Sequence, residues 1–272
     1  MSELSVVPLA STTSDNFFAL FHSDGLALLV DPIDASLAIE SVRSRALDLV
    51  GVLVTHWHPD HVAGNAAVRA AFPDAELIGP AAEADLIEQL GALALTREVV
   101  GTDTVELGVH TFTVLDTPGH TVGHISFHSG HHLVSGDVLF AAGAGNVRTG
   151  DPGVLFATFR DVLRPMPDET VYYAGHDYAE RNLEFALSIL DEDPELIAAL
   201  EAAKRVPPRT FEPRTIGSER TTNLFMRFDD DRVLDALEAK HPELLAEQRA
   251  LSAGGEDHEA AFRTLRALRN VW

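Results

Sequence analysis

Residues 55–61, with the sequence THWHPDH, contain three imidazoles and one carboxylate within a span of six residues. The segment follows an apolar run at residues 49–54. Imidazole nitrogens and carboxylate oxygens are good ligands for zinc and iron, and such a cluster at the end of one strand has little value for packing. We therefore expect residues 55–61 to form part of a metal site beside a buried strand.

Three short segments farther along the chain each supply one more residue of the same kind. They are TPGH at 117–120, SGD at 135–137 and AGH at 174–176, and each follows an apolar stretch. The complete set of candidate ligands is His56, His58, Asp60, His61, His120, Asp137 and His176. These seven are too many for one tetrahedral ion and suit two, so the sequence predicts the dinuclear centre of a metallohydrolase.

The spacing within residues 55–61 fits two neighbouring ions. His56 and His58 are two residues apart, so their rings point the same way on an extended segment. Asp60 and His61 lie beyond Pro59, which helps to turn the loop towards a second ion. Two ions about 3.5–4 Å apart can share a hydroxide whose parent water has a pKa of about 7 rather than about 15.7. That hydroxide is a strong nucleophile at neutral pH.

Composition limits the kinds of protein that this chain can be. Its 272 residues fit one large domain, or one domain with a smaller appendage. No apolar stretch approaches the roughly 20 residues needed to span a bilayer, and the first residues lack the pattern of a secretory signal. We therefore expect no membrane association and a cytoplasmic location. The absence of cysteine excludes disulfides, thiolate nucleophiles and thiolate ligands.

The formal charge of −22 argues against nucleic acid as a ligand, because nucleic-acid binding requires a basic face. Only Lys204 and Lys240 of the 20 basic residues are lysine. A chain of this kind fits a protein adapted to high salt, where self-repulsion is screened, and it equally fits an ordinary acidic protein. The sequence leaves both interpretations open.

The order of the predicted elements indicates a layered α/β core followed by helices. Strands are predicted at 16–21, 26–30, 49–54, 75–78, 111–115, 125–127, 132–134 and 171–174. Helices are predicted at 36–47, 62–72, 81–90, 182–190, 194–203, 232–240 and 258–268, with an irregular connection at 206–222. We expect a metal-binding domain at residues 1–180 and a mainly helical, substrate-binding domain at residues 181–272.

The loop H-x-H-x-D-H, followed by a lone His, Asp and His, resembles the metallo-β-lactamase superfamily. The resemblance implies an α/β fold of the αββα type, in which two sheets lie between layers of helices. It also implies two divalent metal ions, for which zinc is expected and iron or manganese would also suit the ligands. The first metal would be held by His56, His58 and His120, the second by Asp60, His61 and His176, with Asp137 bridging both. His124 is expected to support the site from behind its ligands.

Several motifs in the second half of the chain resemble glyoxalase II, the hydroxyacylglutathione hydrolase branch of that superfamily. They are YAGHDY at 173–178, NLEFA at 182–186, RVP at 205–207, NLFMR at 223–227 and FRTLRALR at 262–269. The resemblance implies a thioester hydrolase that acts on S-D-lactoylglutathione. The bridging hydroxide would attack the thioester carbonyl, and Asp60 would be the catalytic residue that helps to orient it.

The predicted substrate contacts depart in part from the family's pattern. Tyr178 and Arg269 stand where the family has a tyrosine and an arginine. Asn146 occupies a position that is usually basic, Arg148 stands in place of a tyrosine, and Trp272 stands in place of a lysine. Arg148 could replace the lost charge, because its guanidinium binds a carboxylate well. Otherwise the small-molecule substrate is a thioester of another thiol.

Other functions remain open on sequence alone. A persulfide dioxygenase would hold a single iron with His56 or His58, His120 and Asp137, although the helical residues after 180 argue against it. Another hydrolase of the superfamily, such as a lactonase or β-lactamase, is a further alternative. A non-catalytic metal-binding module would need a closed coordination shell, whereas seven ligands for two ions leave open positions. The oligomeric state does not follow from the sequence.

Overall fold

The computed structural model describes residues 3–91 and 93–272, and two six-stranded sheets form its centre. The first sheet runs, in chain and spatial order, through β1 (Ser5–Ala10), β2 (Phe17–Ser23), β3 (Leu26–Val30), β4 (Asp48–Leu53), β5 (Glu76–Pro80) and β6 (Arg97–Val99). Its first two pairings are antiparallel and its last three are parallel. The parallel half therefore delivers the carboxyl ends of β3, β4 and β5 to one edge.

The second sheet is mainly antiparallel. It contains β7 (Thr104–Leu107), β8 (His110–Asp116), β9 (Ile125–Ser129), β10 (His132–Gly136), β13 (Val171–Ala174) and β14 (Arg214–Thr215). Their spatial order is β14-β13-β10-β9-β8-β7, and only the β10–β13 pairing is parallel. A two-stranded hairpin of β11 (Leu139–Phe140) and β12 (Gly143–Ala144) follows β10.

Helices cover both outer faces. Those between the strands are α1 (Ala35–Ser44), α2 (Pro59–Val62), α3 (Asn65–Ala71), α4 (Ala84–Gly91) and α5 (Pro152–Thr158), which continues into a π-helical turn at Phe159–Leu163. The later helices are α6 (Ala179–Ile189), α7 (Pro194–Ala203), α8 (Ile216–Thr222), α9 (Asp231–Lys240), α10 (Pro242–Leu251) and α11 (Asp257–Val271). Within the described ranges, no helix combines the length and apolar character needed to cross a bilayer.

The alternation of side chains along the strands divides the interior into separate cores. Phe21 packs edge to face against Phe112 of the second sheet, with ring centroids 5.2 Å apart, in the core between the sheets. Its neighbour Leu20 faces the opposite way, into the core beneath α1 and α3. The outer face of the second sheet is covered by α5 and the later helices around Phe159 and Phe262. This layering confirms the predicted αββα fold with a helical C-terminal part.

The elements differ from the predictions mainly where capping or a tight turn decides the local structure. The predicted helix at 62–72 is divided into α2 and α3, which meet at Gly64, where a Cβ atom would collide with the carbonyl oxygen of Pro32. Residues 206–222, predicted as an irregular connection, contain β14 and α8. A capping box between Thr215 and Ser218 begins α8. Helices α5 and α10 and strands β1 and β6 lay outside the predicted elements.

The C-terminal part of the chain contributes a strand to the second sheet. β14 adds to the outer edge of the second sheet by pairing with β13. Helix α6 begins at Ala179, next to the predicted boundary at residue 180. The division into domains at 1–180 and 181–272 stays a prediction.

The buried guanidinium of Arg227 binds the carboxylates that cap the first turns of α7 and α9. Arg227 donates to a carboxylate oxygen of Asp193 at 2.9 Å and to one of Asp230 at 2.7 Å. The other oxygen of Asp193 accepts main-chain N–H groups at the start of α7, and Asp230 does the same for α9. The side chains of Arg227 and Asp193 are 6% and 4% exposed. Removing Arg227 would therefore leave the buried carboxylate of Asp193 with only the exposed Arg232, at 3.5 Å, as a charged partner.

We expect Arg227→Met to lower the free energy of unfolding by about 3–5 kcal/mol, because it breaks a buried ion pair. Urea denaturation of the two proteins measures the difference. Arg232→Met is the matched control, since Arg232 contacts the same two carboxylates with a side chain that is 64% exposed. An equal loss in both variants would contradict the role of burial.

The same cluster gives the stability a pH dependence. Burial opposes the charge of Asp230, but hydrogen bonds from Arg232 and Arg227 lower its pKa to about 2. A carboxyl group with a lowered pKa stabilises the fold above its unfolded pKa of about 4 and loses that contribution as the pH falls towards 2. The stability of Arg227→Met should accordingly depend less on pH between about 4 and 2 than that of the unchanged protein.

Candidate metal centre

The seven candidate ligands lie at one edge of the two sheets, each just after a strand. Residues 56–61 follow β4 and continue into α2, and His120 lies in the turn after β8. Asp137 follows β10, and His176 follows β13. The side chain of Asp137 is 9% exposed and that of Asp60 is 43% exposed, so one is enclosed and the other faces solvent.

The structure brings these side chains together in overlapping groups. Ligand atoms of His56, His58 and His120 lie within 4.8 Å of one another, as do those of Asp60, His61 and His176. The Nδ1 atom of His58 is 3.0 Å from Nε2 of His56 and 2.9 Å from Nε2 of His120.

Asp137 lies between the two groups. Its Oδ1 atom is 3.3 Å from Nε2 of His61, and its Oδ2 atom is 3.7 Å from Nε2 of His120 and 3.6 Å from Nε2 of His176. The position of Asp137 is therefore compatible with contact to two ions.

The donor atoms fit divalent cations. Among the described residues, Nε2 of His61, Oδ1 of Asp137 and Nδ1 of His176 are buried and make no hydrogen bond. Buried polar atoms normally have partners, and two of these three face each other across 3.3 Å. Neutral imidazoles and ionised carboxylates are the ligand forms that such metals require.

Burial and charge set the protonation of the site. Burial lowers the pKa of His56 well below its ordinary value, and the neighbouring histidines lower it further. Burial likewise lowers the pKa of His58, to about 4. Burial opposes the charge of Asp137, but His61 holds the pKa of that carboxyl well below its usual range. The site thus offers neutral imidazoles at His56 and His58 beside the ionised carboxylate of Asp137. Burial also opposes the charge of His61 and His176, but neighbouring carboxylates outweigh it and raise the pKa of both imidazoles.

Asp31, which sequence reasoning missed, orients His61 from behind. Its Oδ2 atom lies 2.9 Å from Nδ1 of His61 and accepts the hydroxyl of Thr55 at 2.7 Å. Its Oδ1 atom accepts the main-chain N–H of Thr55 at 2.9 Å. Nε2 of His61 is thereby directed at Asp137. The only signal in the sequence was an acidic residue directly after β3.

Glu83 connects two of the ligand-bearing loops and was also missed. One of its carboxylate oxygens accepts the N–H of Trp57 at 3.0 Å, and the other accepts the N–H of Gly123 at 2.8 Å.

His124 supports the site as expected, because its Nε2 atom accepts the N–H of Asp137 at 3.2 Å. Gly175 allows the β13 loop to approach closely, since a Cβ atom there would collide with Asp137.

The four predicted substrate contacts line one cavity of about 510 Å³ together with the exposed part of the metal centre. They are Asn146, Arg148, Tyr178 and Arg269. The main-chain oxygen of Asn146 lies 2.7 Å from Nδ1 of His120, so this residue also orients a ligand. The ring of Tyr178 stacks on that of His176 with centroids 5.2 Å apart.

Two further arginines, Arg181 and Arg266, line the same cavity and were not singled out in the sequence. Arg266 is buried and donates to the carbonyl oxygens of Ala144 and Gly145 at 2.7 and 3.2 Å. Burial lowers its pKa to about 9, and the charge of Arg269 contributes. Arg266 lies in the FRTLRALR motif, which could have marked it, whereas no pattern distinguishes Arg181.

Comparison with known proteins agrees with this architecture. Residues 16–176 match the family model of the metallo-beta-lactamase superfamily, and residues 177–272 match that of the hydroxyacylglutathione hydrolase C-terminus. The hydroxyacylglutathione hydrolase of Polaromonas sp. is 36% identical over 262 residues, which cover 94% of each chain. That of Methylobacillus flagellatus is 35% identical over 233 residues, covering 85% of this chain and 90% of the relative.

Solved structures share the fold. ETHE1 from Myxococcus xanthus superimposes with a TM-score of 0.65 at 23% identity, covering 97% of this chain and 99% of its own. The BLEG-1 B3 metallo-beta-lactamase gives a TM-score of 0.62 at 22% identity, covering 82% and 99%. The two family models together span the described fold from β2 to α11, and the relatives match nearly all of the chain. The chain therefore belongs to the metallo-β-lactamase superfamily and, within it, to the hydroxyacylglutathione hydrolase family.

Proposed function

We propose that this protein is a thioester hydrolase that uses two divalent metal ions and acts on S-lactoylglutathione or a related acyl thiol. The observation that carries the proposal is the shared cavity, in which five of the seven candidate metal ligands and three cationic or phenolic side chains, Arg148, Tyr178 and Arg269, face the same space. Relatives named hydroxyacylglutathione hydrolase support the substrate class.

The metal ions would be held as the resemblance implies. His56, His58 and His120 would bind one ion, Asp60, His61 and His176 the other, and Asp137 both. When bound, the two cations supply Lewis acidity for the thioester carbonyl and lower the pKa of water from about 15.7 to about 7, which makes a shared hydroxide available as the nucleophile. Zinc is the expected metal, and iron or manganese suits the same ligands.

Asp60 is proposed as the residue that orients the attacking nucleophile. Burial opposes its charge, but hydrogen bonds from His176 and then Asn16 hold the pKa of Asp60 well below its usual range. The amide of Asn16 donates to Oδ2 of Asp60 at 3.1 Å, which fixes the carboxylate. Asp60 therefore stays ionised at neutral pH and can accept a hydrogen bond. The thiolate is a good leaving group, so the protein need supply little acid assistance.

The cationic side of the cavity is proposed to bind the thiol half of the substrate. The exposed guanidinium of Arg148 can bind a carboxylate through two parallel hydrogen bonds. Arg269 is held by a hydrogen bond from its Nε to Asn182 at 3.0 Å, which leaves its terminal nitrogens for a ligand. Asn146 and Tyr178 can complete the contacts. The cytoplasmic location and the lack of a nucleic-acid partner stay predictions from composition.

The purified protein should contain about two divalent ions per chain and lose thioester hydrolysis when a chelator removes them. Adding zinc back should restore S-lactoylglutathione hydrolysis. Metal analysis, together with release of free thiol, measures both quantities. A single iron per chain, with oxygen consumption in the presence of a persulfide, would instead support the dioxygenase.

Asp60→Asn should lower kcat for S-lactoylglutathione by about 100-fold or more, because the amide cannot accept a proton or balance the charge of a cation. The metal content should be measured on the same sample, since Asp60 is also a candidate ligand. The exposed Asp74→Asn is the matched control and should keep the original rate. Full activity of Asp60→Asn would refute the proposed role.

Arg269→Met should lower kcat/KM for S-lactoylglutathione by about 10-fold to 100-fold, mainly through KM, because a hydrogen bond to a charged group is lost. The lactoyl thioester of an uncharged thiol such as N-acetylcysteamine should be affected far less. Arg160→Met, which changes an exposed arginine paired with Asp161, serves as the control. Equal losses for both thioesters would argue against carboxylate binding at Arg269.

A further inference from the structure

Four of the five candidate imidazole ligands have one nitrogen facing the other ligands and the second nitrogen held by a neighbouring polar group. The contacts that hold them are Thr55 with Nδ1 of His56 at 2.9 Å, Thr149 with Nε2 of His58 at 3.2 Å, Asp31 with Nδ1 of His61 at 2.9 Å, and the main-chain oxygen of Asn146 with Nδ1 of His120 at 2.7 Å. Such contacts fix the orientation of a ring and the nitrogen that carries its proton. Within the described residues, Nδ1 of His176 is the exception, because it is buried and makes no hydrogen bond.

The other nitrogen of His176 faces the metal centre. Its Nε2 atom lies 3.1 Å from Oδ2 of Asp60 and 3.6 Å from Oδ2 of Asp137. A cation bound at Nε2 requires the ring proton to be on Nδ1, because a neutral imidazole carries one N–H. The side chain of His176 is only 8% exposed, so that N–H needs an acceptor from the protein.

Asp15 provides a carboxylate beside this nitrogen. Its Oδ1 atom lies 3.6 Å from Nδ1 of His176. A hydrogen bond from a nitrogen to an oxygen is about 2.7–3.2 Å long, so the two atoms are within about 1 Å of forming one. The side chain of Asp15 is 73% exposed, and rotation about its own bonds can close this gap.

The main chain on both sides of Asp15 is fixed next to His176. Asn16 and His176 pair as an isolated antiparallel bridge. On the other side of Asp15, the carbonyl oxygen of Ser14 accepts a hydrogen bond from Arg209 at 2.6 Å. These contacts hold Asp15 beside the ring, so that only its side chain has to turn towards Nδ1.

We propose that Asp15 positions His176 as a metal ligand by accepting a hydrogen bond from Nδ1, and that this contact strengthens binding of the second ion, the one assigned to Asp60, His61 and His176. The inference rests on the two-ion centre of the proposed function and adds a positioning residue to it. Asp15 acts on His176 as Asp31 acts on His61. Its negative charge also makes the imidazole a better donor to a cation.

The stepwise zinc affinities of the full chain test this role, measured by competition with a chromophoric chelator. Asp15→Ala should weaken one of the two affinities by about 10-fold to 100-fold and leave the other within about twofold. Asp15→Asn keeps an acceptor oxygen without the charge, so its loss should be smaller. Thermal unfolding of the metal-free proteins should be the same for all three, because Asp15 is exposed.

Nuclear magnetic resonance of protein with nitrogen-15-labelled histidine gives a second measurement that a purely structural role would not change. In the zinc-loaded protein, the proton on Nδ1 of His176 should exchange slowly with water because it is hydrogen-bonded. Asp15→Ala should abolish this signal and leave those of His61 and His120 in place, since their acceptors are Asp31 and Asn146.

Glu180→Gln is the matched control, since it removes one negative charge from an exposed residue that lines the same cavity as Asp15 and His176. Equal losses in Glu180→Gln and Asp15→Asn would reduce the effect to long-range charge and overturn the inference. Unchanged zinc affinities in Asp15→Ala would also overturn it, and would leave the proposed hydrolase intact. A chain that binds no second divalent ion, even without substitution, would overturn the two-ion centre of the proposed function and the role of Asp15 with it.

Discussion

The structure depends on balancing ionised carboxylates at an edge of the sheets where little water reaches them. The side chains of Asp137 and Asp31 are 9% and 5% exposed, and the ring of His61 lies between them within 2.9–3.3 Å of an oxygen of each. A carboxylate without a partner in such surroundings is costly, so the surrounding imidazoles must be held in fixed positions. The short loops at the strand ends meet this need, because β4, β8, β10 and β13 each deliver one or more ligands to the same edge.

The C-terminal helices form hydrogen bonds to the hairpin that follows the candidate ligand Asp137. The hairpin after Asp137 receives hydrogen bonds from Asn182 of α6, from Asn223 after α8 and from Arg266 of α11. Glu219 of α8 is fully buried and accepts the N–H of Ala142, a residue with a positive φ of 52°. These contacts fix residues 139–145, and the next carbonyl oxygen, that of Asn146, orients His120. The helices therefore position candidate metal ligands as well as the proposed substrate contacts.

The parts predictable from the sequence were those whose signal is local. Apolar strands followed by His or Asp indicated the seven candidate ligands, whose side chains the fold brings to one edge, and the motifs of the second half indicated the helices. Asp31 and Glu83 escaped prediction because their partners are 24 to 40 residues away, so only the folded chain shows what they bind. Helix α8 was missed because the prolines before it indicated a loop, whereas Thr215 and Ser218 cap a helix directly after them. Arg266 resembles any helical arginine until the fold buries it.

The distribution of charge is compatible with binding of the proposed anionic thioester by an acidic protein. A formal charge of −22 repels anions at long range, yet four arginines line the metal cavity. Within the described residues, none of these four has a carboxylate oxygen within 4.0 Å, whereas arginines elsewhere, such as Arg227 and Arg249, are paired. At an ionic strength of about 0.15 M, charges farther apart than about 8 Å are largely screened. The unpaired arginines therefore supply cations that a carboxylate bound in the cavity could contact, and added salt should weaken the long-range repulsion before it weakens binding inside the cavity.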